Sequence, residues 1–223
     1  MPDYEISALN KVTRGPKRAS YDQEEINGIL DAGFLCHIAY TWNEKAIVIP
    51  TAYGRDGDKL YIHGSLKNRM MSCLLEAGEA CVSVTHLDGL VLARSAFHHS
   101  ANYRSVNIFG SVKSIEDDHE KMHALRCIIN HMVPDHWEYV RQPNDKELRA
   151  TLVIEIKIDS ASAKIRTGDV VDEKEDLQLP VWAGIVPISE TIGAPVSDPL
   201  LEGNIPVPES VKNYVQKSNL KNK

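Results

Sequence analysis

Residues 34–63, FLCHIAYTWNEKAIVIPTAYGRDGDKLYIH, are the part of the chain that decides the fold. They contain three runs rich in β-branched and aromatic residues, Phe34–Tyr40, Lys45–Tyr53 and Lys59–His63, which are separated by short polar turns. Runs of this length bounded by turn residues are typical of strands. The pattern predicts a three-stranded antiparallel meander, with Pro50 at a bulge or strand margin where backbone groups are free of the ladder.

The rest of the chain adds more short strands and few helices. Further strands are expected over Ala80–His86, Leu90–Ala93, about Tyr103 to Val112, and Leu152–Asp159. Helices are expected after the capping pattern of Asp22 and Glu25, around Met70–Leu75, over residues 117–133, and over Asp145–Ala150. Without regular strand–helix alternation, this order predicts a mainly β fold, a β-barrel with flanking helices, because closing a sheet removes its exposed edges.

The length of 223 residues suits a single domain. We expect an N-terminal arm over residues 1–14, the domain over residues 15–200, and a C-terminal tail over residues 201–223 that is mobile from about Ile205. The acidic segment Asp169–Asp176 is expected to be a solvated loop.

Composition excludes several classes of function. The formal net charge of −6 argues against nucleic acid as a main partner, because phosphate binding needs clustered positive charge. The chain has no apolar run of the roughly 20 residues that cross a membrane, and its first residues lack the pattern of a secretory signal, so a cytoplasmic protein is expected. Gly-x-Gly-x-x-Gly and Gly-x-x-x-x-Gly-Lys-Ser/Thr motifs are absent, which disfavours Rossmann and P-loop nucleotide sites.

The four cysteines are expected to be reduced core thiols rather than disulfides or zinc ligands. They are far apart, lie mostly in apolar patterns and form no Cys-x-x-Cys motif. These residues are Cys36, Cys73, Cys81 and Cys127.

A first polar cluster lies where the third predicted strand ends and a helix begins. It runs from His63 through Gly64 and Ser65 to Lys67 and Arg69. A hydroxyl, flexible backbone N–H groups, a helix N-terminus and cations together suit a dianionic phosphate. The alternative is a plain helix N-cap at Ser65 with solvated Lys67 and Arg69.

A second polar cluster, Arg94–Ser105, packs two arginines, two histidines and three serines between strands. It indicates either an anion-binding pocket or a surface connection whose hydroxyls cap turns. His98 and His99 also suggest a metal or haem iron, but adjacent residues of an extended segment point to opposite sides and so form no chelating pair. His119 to His123 match His-Glu-x-x-His, which we interpret as chance on a solvent-facing helix without a third ligand, so no metal is expected.

Taken in order, several segments resemble the flavin-nucleotide-binding proteins related to pyridoxamine-phosphate oxidase, the branch that includes the nitroimidazole-resistance proteins. The resemblance covers roughly residues 14–200. The matching segments are Arg18–Tyr21, Ile49–Thr51, Asp56–Ser65, Leu87–Ser100, Asn102–Val106, Lys164–Gly168 and Val181–Gly184.

The resemblance implies an FMN-binding split barrel that forms a homodimer, with FMN at each end of the subunit interface. By carry-over, the backbone of Ile49, Pro50 and Thr51 meets the edge of the flavin ring. The phosphate lies near Ser65, Lys67 and Arg69, close to His63. Further candidates for the cofactor are Tyr103, Arg104 and Ser105.

The function expected from this resemblance is that of an FMN-dependent oxidoreductase acting on a small molecule, such as a nitro compound. His98 or His99 is a candidate for positioning the substrate or donating a proton, since histidine titrates in the right range. The alternative is a flavin- or haem-binding carrier, sensor or regulator without turnover. Oxidation of pyridoxamine phosphate itself and a structural dimer with an empty cleft are weaker alternatives.

Overall fold

The computed structural model describes residues 3–220, and within them the chain forms ten strands and five α-helices. The strands are β1 (Ala19–Ser20), β2 (Leu35–Trp42), β3 (Lys45–Ala52), β4 (Gly54–Asp56), β5 (Lys59–Ser65), β6 (Glu79–Leu92), β7 (Ser100–Ser114), β8 (Thr151–Lys157), β9 (Ser160–Arg166) and β10 (Gly184–Pro187). The helices are α1 (Gln23–Leu30), α2 (Arg69–Ala77), α3 (Asp118–Met132), α4 (Asp145–Ala150) and α5 (Glu209–Leu220).

The strands form a single antiparallel sheet, which confirms the mainly β prediction. Its main path runs β3-β2-β6-β7-β8-β5-β4, while β9 pairs with β7 and β1, and β10 pairs with β6. Within residues 3–220 no pairing joins β3 to β4, so closure into a barrel stays a prediction.

The predicted meander is only half correct. β2 and β3 form the expected hairpin, but β5 pairs with β4 and β8 instead of β3. The chain bends away from β3 at Tyr53, whose buried side chain donates a hydrogen bond from its hydroxyl to the Leu30 carbonyl at 2.6 Å. Gly54 then passes so close to α3 that an added Cβ would lie 2.6 Å from the Ile128 nitrogen.

Local signals place the helices well. The Asp22 side chain accepts a hydrogen bond from the Glu25 N–H at 2.7 Å and starts α1, as predicted. Gly78 ends α2 in the left-handed region at φ 72°, a conformation that glycine adopts without strain.

Other boundaries differ from the expectations. β6 is one strand of 14 residues rather than two, with a register shift between Leu87 and Gly89. β9 was not predicted at all. The expected mobile tail contains α5, which contacts the rest of the chain where the Ser210 hydroxyl lies 3.0 Å from His136 Nδ1. In the predicted solvated loop, the Asp172 carboxylate is fully buried against Arg94 at 2.8 Å.

Two hydrophobic clusters hold the fold together. The larger lies between α1, α2 and one face of the sheet, where Ile38, Val82 and Ile108 are completely buried. The smaller lies under α3 and includes Ile128 and Trp137. Since this smaller cluster borders β5 and β8, it positions the surroundings of His63 and of the turn that follows.

Candidate functional site

The turn from β5 into α2 is tightly built. The Ser65 hydroxyl accepts a hydrogen bond from the Lys67 N–H at 3.1 Å, and the Asn68 side chain accepts one from the Met71 N–H at 3.2 Å. Asn68 therefore caps α2, and the alternative with Ser65 as N-cap is wrong. A Cβ on Gly64 would lie 2.8 Å from Met71 Sδ, so glycine lets the strand approach the helix.

This turn presents donors without competing carboxylates. Within residues 3–220, Lys67 and Arg69 form no ion pair, and the N–H groups of Arg69 and Met70 have no hydrogen-bond acceptor. The Arg69 guanidinium lies over the Trp42 ring, 4.2 Å from its centroid, and this contact holds it beside the turn. Two cations and two free helix N-terminal donors fit an anion such as a phosphate.

Strand β3 forms an open edge next to this turn. Within the described chain its partner is β2 alone, where Trp42 pairs with Lys45 and His37 with Pro50. Pro50 lies five residues along β3 from Lys45, about 17 Å away. On the neighbouring strand β2, the Cys36 thiol donates a hydrogen bond to the Thr51 carbonyl at 3.5 Å. Burial raises the pKa of this thiol to about 12, so it stays protonated.

The four cysteines are free thiols, as predicted, but only Cys36 is buried, whereas Cys73, Cys81 and Cys127 are partly exposed.

The predicted residues on β7 lie away from the turn within one protomer. Arg104 binds Asp88 with two hydrogen bonds of 2.8 and 3.0 Å, which raise the pKa of the guanidinium, and Ser105 donates to the Lys164 carbonyl at 3.1 Å. The turn lies near the other end of β7, because Ser114 pairs with Ile154 on β8, the strand whose first residue pairs with Ser65. Tyr103 lies close to the N-terminal end of β7, and about 35 Å of strand separates it from Ser114 at the C-terminal end.

The histidine loop lies still farther along. It joins β6 to β7 and contains a short 3₁₀-helix, Ala96–His98. His98 Nε2 lies 3.4 Å from the Glu173 carboxylate, and His99 Nδ1 lies 3.0 Å from the Ser95 carbonyl. One protomer therefore does not bring His98 or His99 to the turn at Ser65.

The face of the sheet opposite to the larger cluster is open. Val48 on this face is 60% exposed. Two rows of paired residues cross β3, β2, β6 and β7 there: Pro50, His37, Ser83 and Asn107, and beside them Val48, Ala39, Cys81 and Phe109. An exposed sheet face with apolar side chains is a surface of the kind that another chain covers.

Two cavities border α3. The larger, about 560 Å³, is polar and contains the buried Glu155 between Lys59 at 3.0 Å and Lys113 at 3.3 Å. His123 of the His-Glu-x-x-His match lies at this cavity and binds the Asp56 carboxylate at 2.9 Å. Across residues 3–220, no group of three or more His, Cys, Asp or Glu side chains is arranged to hold a metal ion.

The smaller cavity, about 320 Å³, contains His63 and is mostly apolar. Sequence reasoning selected His63 but missed Trp137, which forms part of this cavity, and Trp42 over Arg69. Trp42 follows from no local motif, since its contact joins residues 27 positions apart. Side chains two residues apart on a strand lie on the same face, so the burial of Tyr61 against α3 indicates that His63 also lies on the α3 side of β5.

Comparison with known proteins decides the family. The model of the family described as pyridoxamine 5′-phosphate oxidase matches residues 22–165, well over half of the chain. The chain belongs to this family. The resemblance seen in the sequence motifs is therefore confirmed. No curated protein sequence matches the chain.

Several solved structures are similar to this member of the pyridoxamine 5′-phosphate oxidase family. The flavocytochrome Anf3 of Azotobacter vinelandii is 38% identical, with a TM-score of 0.88 over 93% of this chain and 97% of that one. The FAD and haem binding protein of Mycobacterium smegmatis is 35% identical, with a TM-score of 0.84 over 88% and 97%. A putative 5-nitroimidazole antibiotic resistance protein of Bacteroides thetaiotaomicron is 25% identical, with a TM-score of 0.57 over 66% and 86%.

In the described part of the chain, no helix is both long and apolar enough to span a bilayer.

Proposed function

We propose that this protein binds the FMN moiety of a flavin between two subunits and uses it as an oxidoreductase on a small molecule, such as a nitro compound. The observation that carries the proposal is the turn at Ser65–Arg69, which has no carboxylate and presents two cations and two free N–H groups. Two structures similar to this chain are described as a flavocytochrome and as an FAD and haem binding protein. These groups match the charge and acceptors of a phosphoester.

In this proposal, Ser65, Lys67 and Arg69 hold the phosphate, and the open edge of β3 at Ile49–Thr51 meets the polar edge of the flavin ring. Strand β3 runs about 17 Å from Lys45, which pairs with Trp42 beside Arg69, to Pro50. The flavin supplies the electron-transfer chemistry, and the protein supplies binding, orientation and exclusion of water. His98 and His99 stay candidates for proton donation.

A homodimer is part of the proposal. The open sheet face around Val48 offers the surface, and a two-fold interface brings the same patch of both copies together. Because Tyr103–Ser105 and the turn at Ser65 lie at opposite ends of β7 in one protomer, a second copy is what can bring both sets to one flavin. A cytoplasmic location also remains proposed, supported by the four unpaired cysteines.

A second candidate is a flavin- and haem-binding carrier, sensor or regulator without turnover. It is supported by the two similar structures described as a flavocytochrome and as an FAD and haem binding protein. The observation on this chain that favours it is the imidazole of His63 in a mostly apolar cavity, since imidazole is a common haem ligand.

The test begins with the purified full chain and added FMN or FAD under anaerobic conditions. We expect the bound flavin to lose its visible absorption when NADH or NADPH is added, and to regain it when a nitroimidazole is supplied. Bound flavin that neither nucleotide reduces would favour the carrier. A protein that binds neither flavin would overturn the proposal.

A further inference from the structure

A long segment without helix or strand joins β10 to α5. Residues 189–206 form this connecting segment, and both of its ends are fixed on their own subunit. At one end β10 pairs with β6, and at the other end the Ser210 hydroxyl of α5 lies 3.0 Å from His136 Nδ1. Connections longer than about 12–15 residues without secondary structure are uncommon in compact domains, and ordered ones usually serve a function.

The connecting segment carries large apolar side chains that its own subunit does not cover. Val196 is 94% exposed and Leu200 is 86% exposed, and Leu201 and Ile205 are exposed as well. Single exposed apolar residues are ordinary, but a group of them along one short stretch is typical of a surface that another chain covers. At about 1.45 Å² per dalton of extended chain, the segment presents roughly 2,600 Å². Covering a third of this area would bury about 800 Å², the usual share of one partner in a stable interface.

The connecting segment is also negatively charged. It has three acidic residues and no lysine or arginine. Two of the acidic residues, Asp198 and Glu202, are exposed and form no ion pair among the residues that the structure describes. A surface that covers this segment should therefore combine positive charge with exposed apolar side chains.

The N-terminal part of the same chain has this combination. Residues 6–18, the basic segment, carry four cations and no acidic residue, and Ile6 and Leu9 there are 56% and 62% exposed. All four cations are exposed, and none forms an ion pair anywhere in residues 3–220. Because like charges repel one another, an acidic partner would stabilise this segment. The cations are Lys11, Arg14, Lys17 and Arg18.

The basic segment borders the open face of the sheet. An added Cβ at Gly15 would lie 3.9 Å from both Arg18 Cδ and Lys164 Cε, so Lys164 adds another cation to this group. Lys164 pairs with Ser105, two residues along β7 from Asn107, and side chains two residues apart lie on one face of a strand. Lys164 therefore lies on the same face as Asn107, which is the open face proposed to meet a second copy.

We propose that the connecting segment of each subunit lies on the basic segment of a second copy of this chain. Its carboxylates then meet lysine and arginine side chains, while Val196 and Leu200 cover Ile6 and Leu9. Among residues 3–220, no ion pair joins these two segments within one subunit, and in a two-fold dimer each contact between copies is made twice. The inference rests on the proposed function, because it needs the homodimer.

The test reverses the charges on each side of this contact in the full chain. The first variant, Asp198→Arg with Glu202→Arg, changes the connecting segment. The second variant, Arg14→Glu with Arg18→Glu, changes the basic segment. A combined variant carries all four substitutions, so it has the net charge of the wild type and again places opposite charges across the contact. The dissociation constant of the dimer is measured by sedimentation at low salt, and circular dichroism checks that each variant folds.

The control variant is Glu76→Arg with Glu79→Arg. Both residues are exposed, form no ion pair in the described part of the molecule, and lie in α2 and β6, outside the two segments. The control changes the net charge of the protein as much as the first variant does.

We expect the first and second variants each to weaken the dimer about tenfold, because like charges then face one another at both symmetric contacts. The combined variant should return to within about threefold of the wild type, and the control should stay within about twofold. A combined variant that dimerises no better than the second variant would overturn the contact between the two segments.

Reversal variants that dimerise like the wild type would also overturn this contact. In that case a monomeric Val48→Asp variant would leave the proposed function intact. A wild-type protein that binds flavin as a monomer would overturn both the proposed dimer and this contact.

Discussion

Replacing Arg69 by alanine tests the phosphate turn directly. Arg69 has no carboxylate partner in the described chain, so its charge is available to a ligand. A hydrogen bond to a charged group contributes about 1.5–3 kcal/mol, which corresponds to about a 10- to 150-fold rise in the dissociation constant of the flavin. The folded state should lose only the contact with Trp42, about 0.5–1 kcal/mol at an exposed site.

The assay is a fluorescence titration of FMN with the purified chain, together with urea unfolding of the protein without flavin. Arg126→Ala is the matched control, because Arg126 is an exposed arginine whose partner is Glu138 at 2.8 Å and its loss changes the net charge equally. We expect Arg126→Ala to leave the flavin affinity within about twofold of the wild type. Equal dissociation constants for the two variants would refute the assignment of the phosphate to this turn.

Arg69→Lys separates charge from geometry. Lysine keeps the positive charge but lacks the planar fork that donates two parallel hydrogen bonds and stacks on an aromatic ring. We therefore expect an affinity between those of the wild type and Arg69→Ala. An increase in salt concentration should weaken binding to the wild type more than to Arg69→Ala.

Three other predictions follow from packing, pH and assembly. An added Cβ at Gly110 would lie 1.9 Å from a carbonyl oxygen of β8, so Gly110→Ala should lower the free energy of unfolding by about 3 kcal/mol. Gly28 lies in α1 with open space around it, so Gly28→Ala should raise the free energy of unfolding by about 0.5–1 kcal/mol. Urea titrations measure both changes. Burial lowers the pKa of His131, so as pH falls the unfolded chain takes up a proton before the folded protein does. The urea concentration at the unfolding midpoint should therefore be lower at pH 5 than at pH 7, and His131→Gln should make this difference smaller. An unchanged difference in the variant would contradict this cause. Val48→Asp should make the protein monomeric, as measured by light scattering, and should weaken flavin binding. Val171→Asp changes a similarly exposed valine and should do neither. A Val48→Asp variant that stays dimeric would contradict the proposed interface.

The local elements were predictable because their signals are local. The β-branched runs of residues 34–63 mark β2, β3 and β5, and Asp22 marks the start of α1. The partner of β5 was not predictable in this way, because His63 pairs with Val153, 90 residues later. Hydrophobic alternation indicates which face of a strand is buried, but it does not indicate which other strand pairs with it.

β9 was missed for a different physical reason. Apart from Ile165 its residues are small or polar, and the two alanines that it buries completely, Ala161 and Ala163, carry too little apolar surface to produce a strand pattern. They are buried because the pairing of β9 with β7 and β1 places them in the larger hydrophobic cluster, which also contains Ile26 and Leu30 of α1. The core position of Ala161 thus comes from assembly of the sheet, as does the hydrogen bond that its carbonyl accepts from the side chain of Asn10 at 3.1 Å.

The candidate site shows the same division between local and assembled features. The cations of the turn at Ser65 are visible in the sequence, whereas the contact of Arg69 with Trp42 and the cavity at His63 exist only in the fold. The motifs on β7 match the family, yet Arg104 is bound to Asp88 near the end of β7 remote from the turn. Both sets of residues can serve one flavin only when two copies assemble with these ends together. Site and dimer are therefore a single proposal, and a monomeric variant with an intact Ser65–Arg69 turn and undiminished flavin affinity would separate Tyr103–Ser105 from the cofactor site.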